Sequence, residues 1–170
     1  MVKLISVLLN YFNRKDVTPK YPHADVTVDS VLIHYITDAQ GLIDCDKSTV
    51  LLIKRGHEPF KNMWCFPGGF INMNETLEQS ALRELQEETG IVLSDIDKHR
   101  FQQFRAFGDP KRDPRKRIIS IVHYALIDYE YEVKGADDAA EARWWPLNKI
   151  MEMGFDHAEI LRAVVGRVTP

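Results

Sequence analysis

Three of the glutamates between Gly69 and Ile91 are crowded into five consecutive residues of the chain. Glu84, Glu87 and Glu88 stand at i, i+3 and i+4 spacing, which places them on one arc of a helix that is about 100° wide. Like charges at this spacing repel one another and destabilise a helix. A bound hard cation, which prefers oxygen ligands, is the simplest reason to keep these carboxylates together.

The same segment carries the signals of a helix over residues 77–89. Thr76 is suited to cap its N-terminus, and Gln79 follows at the spacing of a capping box. Gly90 provides the left-handed residue at which many helices end. The apolar residues of the helix are Leu77, Ala81, Leu82 and Leu85. They fall on an arc beside the carboxylates, so one face is predicted to pack on a core while its neighbour presents acids.

Composition limits the class of protein. The chain has 170 residues and a net charge of -3, which fits one domain with its own core and provides no field that would attract nucleic acid or a membrane surface. Cys45 and Cys65 form no CxxC pair, which predicts a reducing, cytoplasmic location without a disulfide framework. The apolar stretch 4–12 is far too short to span a bilayer. Residues 1–24 are predicted to be an extension with a short helix, and 25–170 a single domain.

Outside the acidic helix, strands and helices mix without the strict alternation of a parallel sheet. Strands are predicted over residues 26–36, 50–53, 100–107, 118–127 and 143–146. Two further helices are predicted over 147–153 and 157–168. This mixture indicates an α+β fold in which a mixed sheet carries helices on both faces.

The full spacing of the acidic segment is that of a known signature. It reads G-x5-E-x7-R-E-L-x-E-E-x-G-I and is filled by Gly69, Glu75, Arg83, Glu84, Leu85, Glu87, Glu88, Gly90 and Ile91. At average residue frequencies a chance match in such a chain has a probability of roughly one in ten million. The segment resembles the Nudix box of the Nudix hydrolase family. Trp64-x-x-Pro67-Gly68-Gly69 before it and Trp145-Pro146-Leu147 after it also resemble that family, which implies an α/β/α sandwich over about residues 25–165.

The resemblance implies a hydrolase that depends on Mg²⁺, or on Mn²⁺ as a substitute, and cleaves a nucleoside diphosphate linked to another group. The implied metal ligands are Glu84, Glu87, Glu88 and a backbone carbonyl of Gly69 or Gly68. Arg83 would hold a glutamate in place by a charge-assisted hydrogen bond, and Arg83 with the three glutamates forms the predicted catalytic group. Elementary chemistry agrees, because Mg²⁺ takes carboxylates, waters and phosphate oxygens as ligands and lowers the pKa of a bound water.

The box does not name the substrate, and the best clue is a basic loop. Residues 105–117 carry six basic side chains against two acids, and such a patch would attract a polyanion. Its sequence GDPKRDPRKR resembles the ADP-ribose pyrophosphatase branch and also the ADP-ribose-binding regulators of nicotinamide biosynthesis. The predicted substrate-binding residues are Arg55, Arg105, Arg112, Arg115 and Arg117. The predicted reaction is therefore cleavage of ADP-ribose to AMP and ribose 5-phosphate.

Some alternatives stay open at this level. Asp138 or Glu141 could supply an extra metal ligand or the general base from a loop. The substrate could be a nucleoside triphosphate, oxidised or not, although the long basic loop argues mildly against it. The alternative that is not an enzyme is an ADP-ribose-sensing module. The predicted partners are a nucleotide-type small molecule, with neither nucleic acid nor membrane, and a homodimer through the apolar N-terminal segment is left open.

Overall fold

The computed structural model describes residues 21–135, 139–149 and 152–168. Within these ranges seven strands form one mixed sheet: β1 (Asp25–His34), β2 (Thr49–Arg55), β3 (Trp64–Cys65), β4 (Gly68–Phe70), β5 (Gln102–Phe107), β6 (Ile118–Ile127) and β7 (Ala139–Pro146). The helices there are α1 (Leu77–Thr89), α2 (Asp95–Arg100), a 3-10 turn (Leu147–Lys149) and α3 (His157–Val168). None of them is long and apolar enough to cross a bilayer. The predicted N-terminal helix, Asp138 and part of the predicted helix 147–153 lie outside the described residues.

Strand β1 is the centre of the sheet. It pairs in parallel with β6 over ten residue pairs, and its other edge pairs antiparallel with β2 and with β4. Strand β2 also pairs antiparallel with β7, and β6 with β5. Asp29 on β1 lies opposite Gly68 on β4, so the middle of the sheet directly borders the start of the acidic segment.

Neighbouring residues on the central strand belong to two separate hydrophobic cores. Leu32 belongs to the core cluster that contains Ala81 and Leu85 of α1, whereas Ile33 belongs to the cluster that contains Ile160 of α3. Successive side chains on a strand point to opposite faces, so α1 covers one face of the sheet and α3 the other. The predicted α+β fold, an α/β/α sandwich with a mixed sheet, is confirmed.

Helix α1 has both of its predicted ends. The Thr76 hydroxyl accepts the Gln79 amide at 3.1 Å, and the Gln79 side chain accepts the Thr76 amide at 2.8 Å. Gly90 adopts a φ of 75° and donates its N–H to the Gln86 carbonyl. The predicted bounds of this helix are confirmed because the signals that set them are local. Glu88 is buried on it, so part of the acidic arc faces the protein.

Several elements differ from the prediction, among them a 3-10 turn over Leu147–Lys149 at the start of the predicted helix 147–153. Strand β7 begins well before the predicted range, because it pairs along the whole edge of β2 and long-range pairing overrides the weak strand preference of its Ala-Ala-Glu-Ala start. Glu141 therefore lies in a strand opposite Lys54, which corrects its predicted place in a loop. Helix α2 was absent from the prediction because its polar sequence lacks an apolar period. The residue before it, Ser94, caps the helix, because the Ser94 hydroxyl oxygen accepts a hydrogen bond from the Asp97 amide.

The two cysteines occupy opposite environments. Cys45 is exposed, whereas Cys65 is buried on β3. Burial raises the pKa of the Cys65 thiol to about 12, so at pH 8 this side chain contains almost no reactive thiolate. We expect one thiol of the native protein to react with an aromatic disulfide reagent at pH 8, and two in denaturant. Two thiols reacting at equal rates in the native protein would disagree with this packing.

Candidate active site

One cavity of about 320 Å³ opens where α1, the turn before β4 and the start of α3 meet. It contains the whole predicted catalytic group and three of the five predicted arginines, namely Arg83, Glu84, Glu87, Glu88, Arg55, Arg112 and Arg115. Gly69, predicted to offer a carbonyl to the metal, lines it as well. Segments far apart in sequence are therefore brought together much as the sequence predicts.

Two of the predicted arginines do not line this cavity. The guanidinium of Arg105 lies over the rings of Phe104 and Phe107, at 5.4 Å and 4.6 Å from their centroids. Arg117 donates a hydrogen bond to the Gly108 carbonyl at 2.7 Å. Both guanidinium groups thus contact the ends of the basic loop itself, and a role in substrate binding stays a prediction for them.

Of the two acids predicted as an extra ligand or base, only Glu141 lies within the described residues. Glu141 is paired with Arg143 on the same strand and does not line the cavity. Asp138 lies outside the described residues. Their predicted roles remain predictions.

Arg83 organises the acidic wall. Its Nε donates to Glu75 at 2.9 Å, and its Nη1 donates to Glu84 at 2.6 Å and to Glu87 at 2.8 Å. Its Nη2 reaches the Phe70 carbonyl at 3.1 Å. Burial disfavours the guanidinium charge, but hydrogen bonds to the three carboxylates outweigh it and raise the pKa of Arg83. One permanently charged group therefore holds the glutamates in a defined arrangement.

Glu88 is the buried member of the glutamate set. It is 5% exposed, and its Oε2 accepts the Gly68 amide at 2.8 Å. Burial raises the pKa of Glu88 to about 8, against the effect of that hydrogen bond, and the carboxylates of Glu84 and Asp29 act in the same direction as burial. A divalent cation bound beside Glu88 would favour its ionised form.

The backbone at the glycine pair lies close to the acidic wall. A Cβ added to Gly69 would lie 2.6 Å from the Glu84 carboxylate, so glycine permits the close approach of the chain to this acid. Within the described residues no three acids lie together as a ready-made metal site, and Arg83 bonds both Glu84 and Glu87. Since Mg²⁺ uses few carboxylates and keeps several waters, the carboxylate and carbonyl oxygens present fit such an ion.

The buried acid has a consequence for the stability of the metal-free protein. Because the pKa of Glu88 is raised to about 8, the folded state binds this proton more tightly than the unfolded state, and stability falls as the pH rises from the ordinary glutamate pKa through 8. We expect Glu88→Gln, in the presence of a chelator, to raise Tm at pH 9 and to change it little at pH 5. Thermal unfolding at both pH values measures this. An unchanged or lower Tm at pH 9 would argue against the burial of this charge.

Another part of the cavity lining combines arginines with aromatic rings. The guanidinium of Arg115 lies 5.5 Å from the ring centroid of Phe70 and 5.7 Å from that of Phe155, and Arg55 lies 5.0 Å from the latter. Phe70 is 41% exposed, and Phe155 has a φ of 54°, which is uncommon for a residue other than glycine. The sequence assigned a role to neither ring. The position of Phe70 directly after the glycine pair was the available signal.

The floor of the cavity is a buried polar network. Arg112 donates to Asp156 through Nε at 2.9 Å and through Nη2 at 2.7 Å. His157 accepts the amide of Phe66 at 2.9 Å, and its other nitrogen lies 3.6 Å from Asp29. Arg112, which the sequence predicts to bind substrate, is 7% exposed. Its guanidinium group is held by a carboxylate of the protein itself. No sequence pattern singled out Asp29.

Comparison with known proteins identifies the family. A model of the NUDIX domain matches residues 31–164. The ADP-ribose pyrophosphatase of Methanocaldococcus jannaschii is 35% identical over 154 residues, which cover 91% of this chain and 87% of that protein. An ADPR responsive transcriptional repressor of Acinetobacter baylyi is 28% identical over 152 residues, covering 87% of this chain and 56% of the repressor. The NUDIX domain of Shewanella oneidensis NrtR, solved in complex with ADP ribose, matches with a TM-score of 0.75 at 30% identity, over 95% of this chain and 98% of that chain.

The family match covers most of the residues that form the sheet and the cavity. The family model spans most of the chain, including every strand of the sheet except the first residues of β1. The similarity to an ADP-ribose pyrophosphatase that the sequence predicts is confirmed. The chain therefore belongs to the NUDIX domain family, as a member of its hydrolases.

Proposed function

We propose that the protein is a metal-dependent hydrolase that cleaves the pyrophosphate of ADP-ribose to AMP and ribose 5-phosphate. The observation that carries this is the meeting, in one cavity, of a glutamate wall held by Arg83 and a wall of arginines and aromatic rings. A nucleoside diphosphate linked to another group needs such a cavity, because its phosphates require positive charge and its base offers a planar surface on which an aromatic ring can stack. The similarity to the M. jannaschii pyrophosphatase supports the choice of substrate.

In this proposal Glu84, Glu87, Glu88 and the Gly69 carbonyl would hold Mg²⁺, with Mn²⁺ as a substitute. The bound ion supplies charge neutralisation at the pyrophosphate and a water of lowered pKa. Arg83 keeps the carboxylates of Glu84 and Glu87 at fixed positions through one nitrogen. The protein therefore contributes mainly orientation and electrostatics, as expected for attack at phosphorus.

The arginines and aromatic rings of the cavity would bind the rest of the substrate. Arg55 donates its Nε to the Pro59 carbonyl at 2.8 Å, and Arg115 is paired with Asp113 at 2.6 Å. These contacts hold both guanidinium groups at the cavity while further N–H groups on each remain available as donors. Arg55 and Arg115 are thus proposed to bind phosphate oxygens.

Phe70 is proposed to stack on the nucleobase. We expect Phe70→Leu to raise KM for ADP-ribose about tenfold with kcat nearly unchanged, because base stacking on an aromatic ring contributes ~1–3 kcal/mol. Phe70→Tyr keeps the ring and is the matched control. Steady-state kinetics of both variants measure the effect. If Phe70→Leu retained the wild-type KM, this ring would have no part in binding the base.

A substrate panel tests the proposed reaction. The protein is incubated with Mg²⁺ and, separately, with ADP-ribose, NADH, diadenosine polyphosphates, GDP-mannose and nucleoside triphosphates, and the release of AMP or phosphate is measured. We expect AMP from ADP-ribose, and no release after chelation of the metal. Turnover of triphosphates alone would overturn the assignment of ADP-ribose as the substrate. If no compound were cleaved, the proposal that the protein is an enzyme would be overturned.

Ligand sensing is the second candidate, and the similarity to the ADPR responsive repressor of A. baylyi favours it. Sensing requires binding without cleavage. Calorimetry with ADP-ribose, followed by analysis of the recovered nucleotide, separates the two. Recovery of intact ADP-ribose after tight binding in Mg²⁺ would support the sensor, whereas the complete glutamate set favours catalysis.

A further inference from the structure

Two adjacent residues at the start of α3 reach into different parts of the site. Asp156 forms the bidentate ion pair with Arg112, which belongs to the basic loop between β5 and β6. His157 Nδ1 lies 2.9 Å from the amide nitrogen of Phe66, three residues before Gly69. One turn of helix therefore contacts both the basic loop and the turn that leads to the acidic wall.

The contact with Phe66 determines the tautomer of His157. A backbone N–H can only donate, so Nδ1 must accept and carries no proton. In the neutral ring the proton is then on Nε2, which faces Asp29 at 3.6 Å. Burial holds the pKa of His157 below its ordinary value, so the ring is neutral at physiological pH. Asp29 is oriented in turn by a hydrogen bond from the Ser120 hydroxyl.

The turn after Phe66 is held at successive points. Phe66 is 2% exposed, and its ring stacks on His157 with centroids 5.1 Å apart. The Pro67 carbonyl accepts the Ser30 amide at 2.8 Å. The Gly68 amide donates to the buried Glu88, also at 2.8 Å. A buried amide without an acceptor is unfavourable, so the Phe66 amide is expected to follow the imidazole if the ring moves.

We propose that His157 is a positioning residue for the metal half of the site. As the Nε2–H tautomer it fixes the Phe66 amide, and through the turn it sets the Gly69 carbonyl and the hydrogen bond to Glu88. Through the neighbouring Asp156 the same helical turn keeps Arg112 and its loop in register with the metal-binding turn. This inference rests on the proposed function, because it concerns how the same site is held.

The tautomer can be tested without turnover. In ¹⁵N-labelled wild-type protein, long-range ¹H–¹⁵N correlation spectra distinguish the two neutral forms of a histidine ring. We expect His157 in the Nε2–H form at pH 8, together with a Phe66 amide that exchanges slowly with deuterated water. A ring in the Nδ1–H form, or a charged ring, could not accept the Phe66 amide and would overturn the proposal.

A pair of substitutions tests the positioning role. In His157→Asn the side-chain oxygen can take the place of Nδ1 as acceptor, whereas His157→Leu has none. We expect His157→Leu to weaken Mn²⁺ binding, followed by electron paramagnetic resonance without substrate, about tenfold or more and to lower kcat similarly. His157→Asn should restore most of both. Equal losses in the two variants, or no loss in His157→Leu, would refute the positioning role.

Folding and function are separated by further measurements. Tm of each variant is recorded, and if His157→Leu does not fold, His157→Gln replaces it, because its longer side chain places the amide oxygen away from the Phe66 amide. Mn²⁺ affinity and the tautomer do not depend on the substrate. A wild-type protein that binds Mn²⁺ but cleaves nothing would therefore overturn the proposed reaction, whereas unchanged Mn²⁺ affinity in His157→Leu, or in His157→Gln where it replaces that variant, would overturn the positioning role alone.

Discussion

Replacing Glu87 or Glu88 by glutamine is expected to lower kcat on ADP-ribose by more than about a hundredfold. This loss is larger than the effect of removing a residue that only orients a metal ligand. Glutamine keeps the shape of the side chain but removes the charge that a divalent cation requires. Glu87 is exposed, so its replacement should leave the fold intact. At Glu88 the amide oxygen can still accept the Gly68 N–H.

The matched control for these variants is Glu78→Gln. Glu78 is an exposed glutamate on the same helix and does not line the cavity. We expect it to keep wild-type kcat and wild-type affinity for Mn²⁺. Near wild-type kcat in both Glu87→Gln and Glu88→Gln, measured at saturating metal, would contradict the assignment of the metal site.

Alanine at the two neighbouring glycines is expected to cause two different failures. In Gly69→Ala the new Cβ would lie 2.6 Å from the carboxylate of Glu84, the end of a flexible side chain that can swing away. We expect a Tm close to that of the wild type. We expect kcat to fall by up to about a hundredfold, because Glu84 is displaced from its place in the site.

Gly68→Ala is expected to damage the fold. Its Cβ would lie 2.2 Å from the carbonyl oxygen of Val28 and 2.9 Å from the Cα of Asp29, both in the backbone of the central strand, which cannot give way. We expect a Tm lower by about 5–10 °C, from the usual effect of overpacking in a domain of this size. Thermal unfolding and steady-state kinetics of both variants measure the contrast. A larger loss of Tm in Gly69→Ala than in Gly68→Ala would contradict the packing described for this turn.

The acidic helix could be predicted from the sequence because its determinants are local. The capping box at Thr76, the left-handed Gly90 and the helical period of the apolar residues lie within the same few turns. The spacing of the glutamates follows from the pitch of that helix. Their placement on one side of α1 therefore depends on little beyond the segment itself, whereas their roles in metal binding and catalysis remain predictions.

The arginines of the cavity could be predicted only in part because their placement depends on contacts between distant segments. Five arginines were predicted to bind substrate, yet only Arg55, Arg112 and Arg115 line the cavity. Arg112 is held there by Asp156, 44 residues away along the chain. No local pattern distinguishes an arginine that meets such a partner from one that lies over its own strand, as Arg105 does.

The sequence by itself determined the acidic helix, the α+β class and the family of this protein, because spacing along one helix and alternation along strands are properties of neighbouring residues. Only the tertiary structure decided what surrounds the glutamates. The antiparallel pairing of β1 with β4 places Asp29 opposite Gly68, and α3 brings His157 to Phe66 and to Asp29. Such contacts arise when distant segments bury their apolar faces together, and that burial depends on the whole fold rather than on any single stretch of sequence.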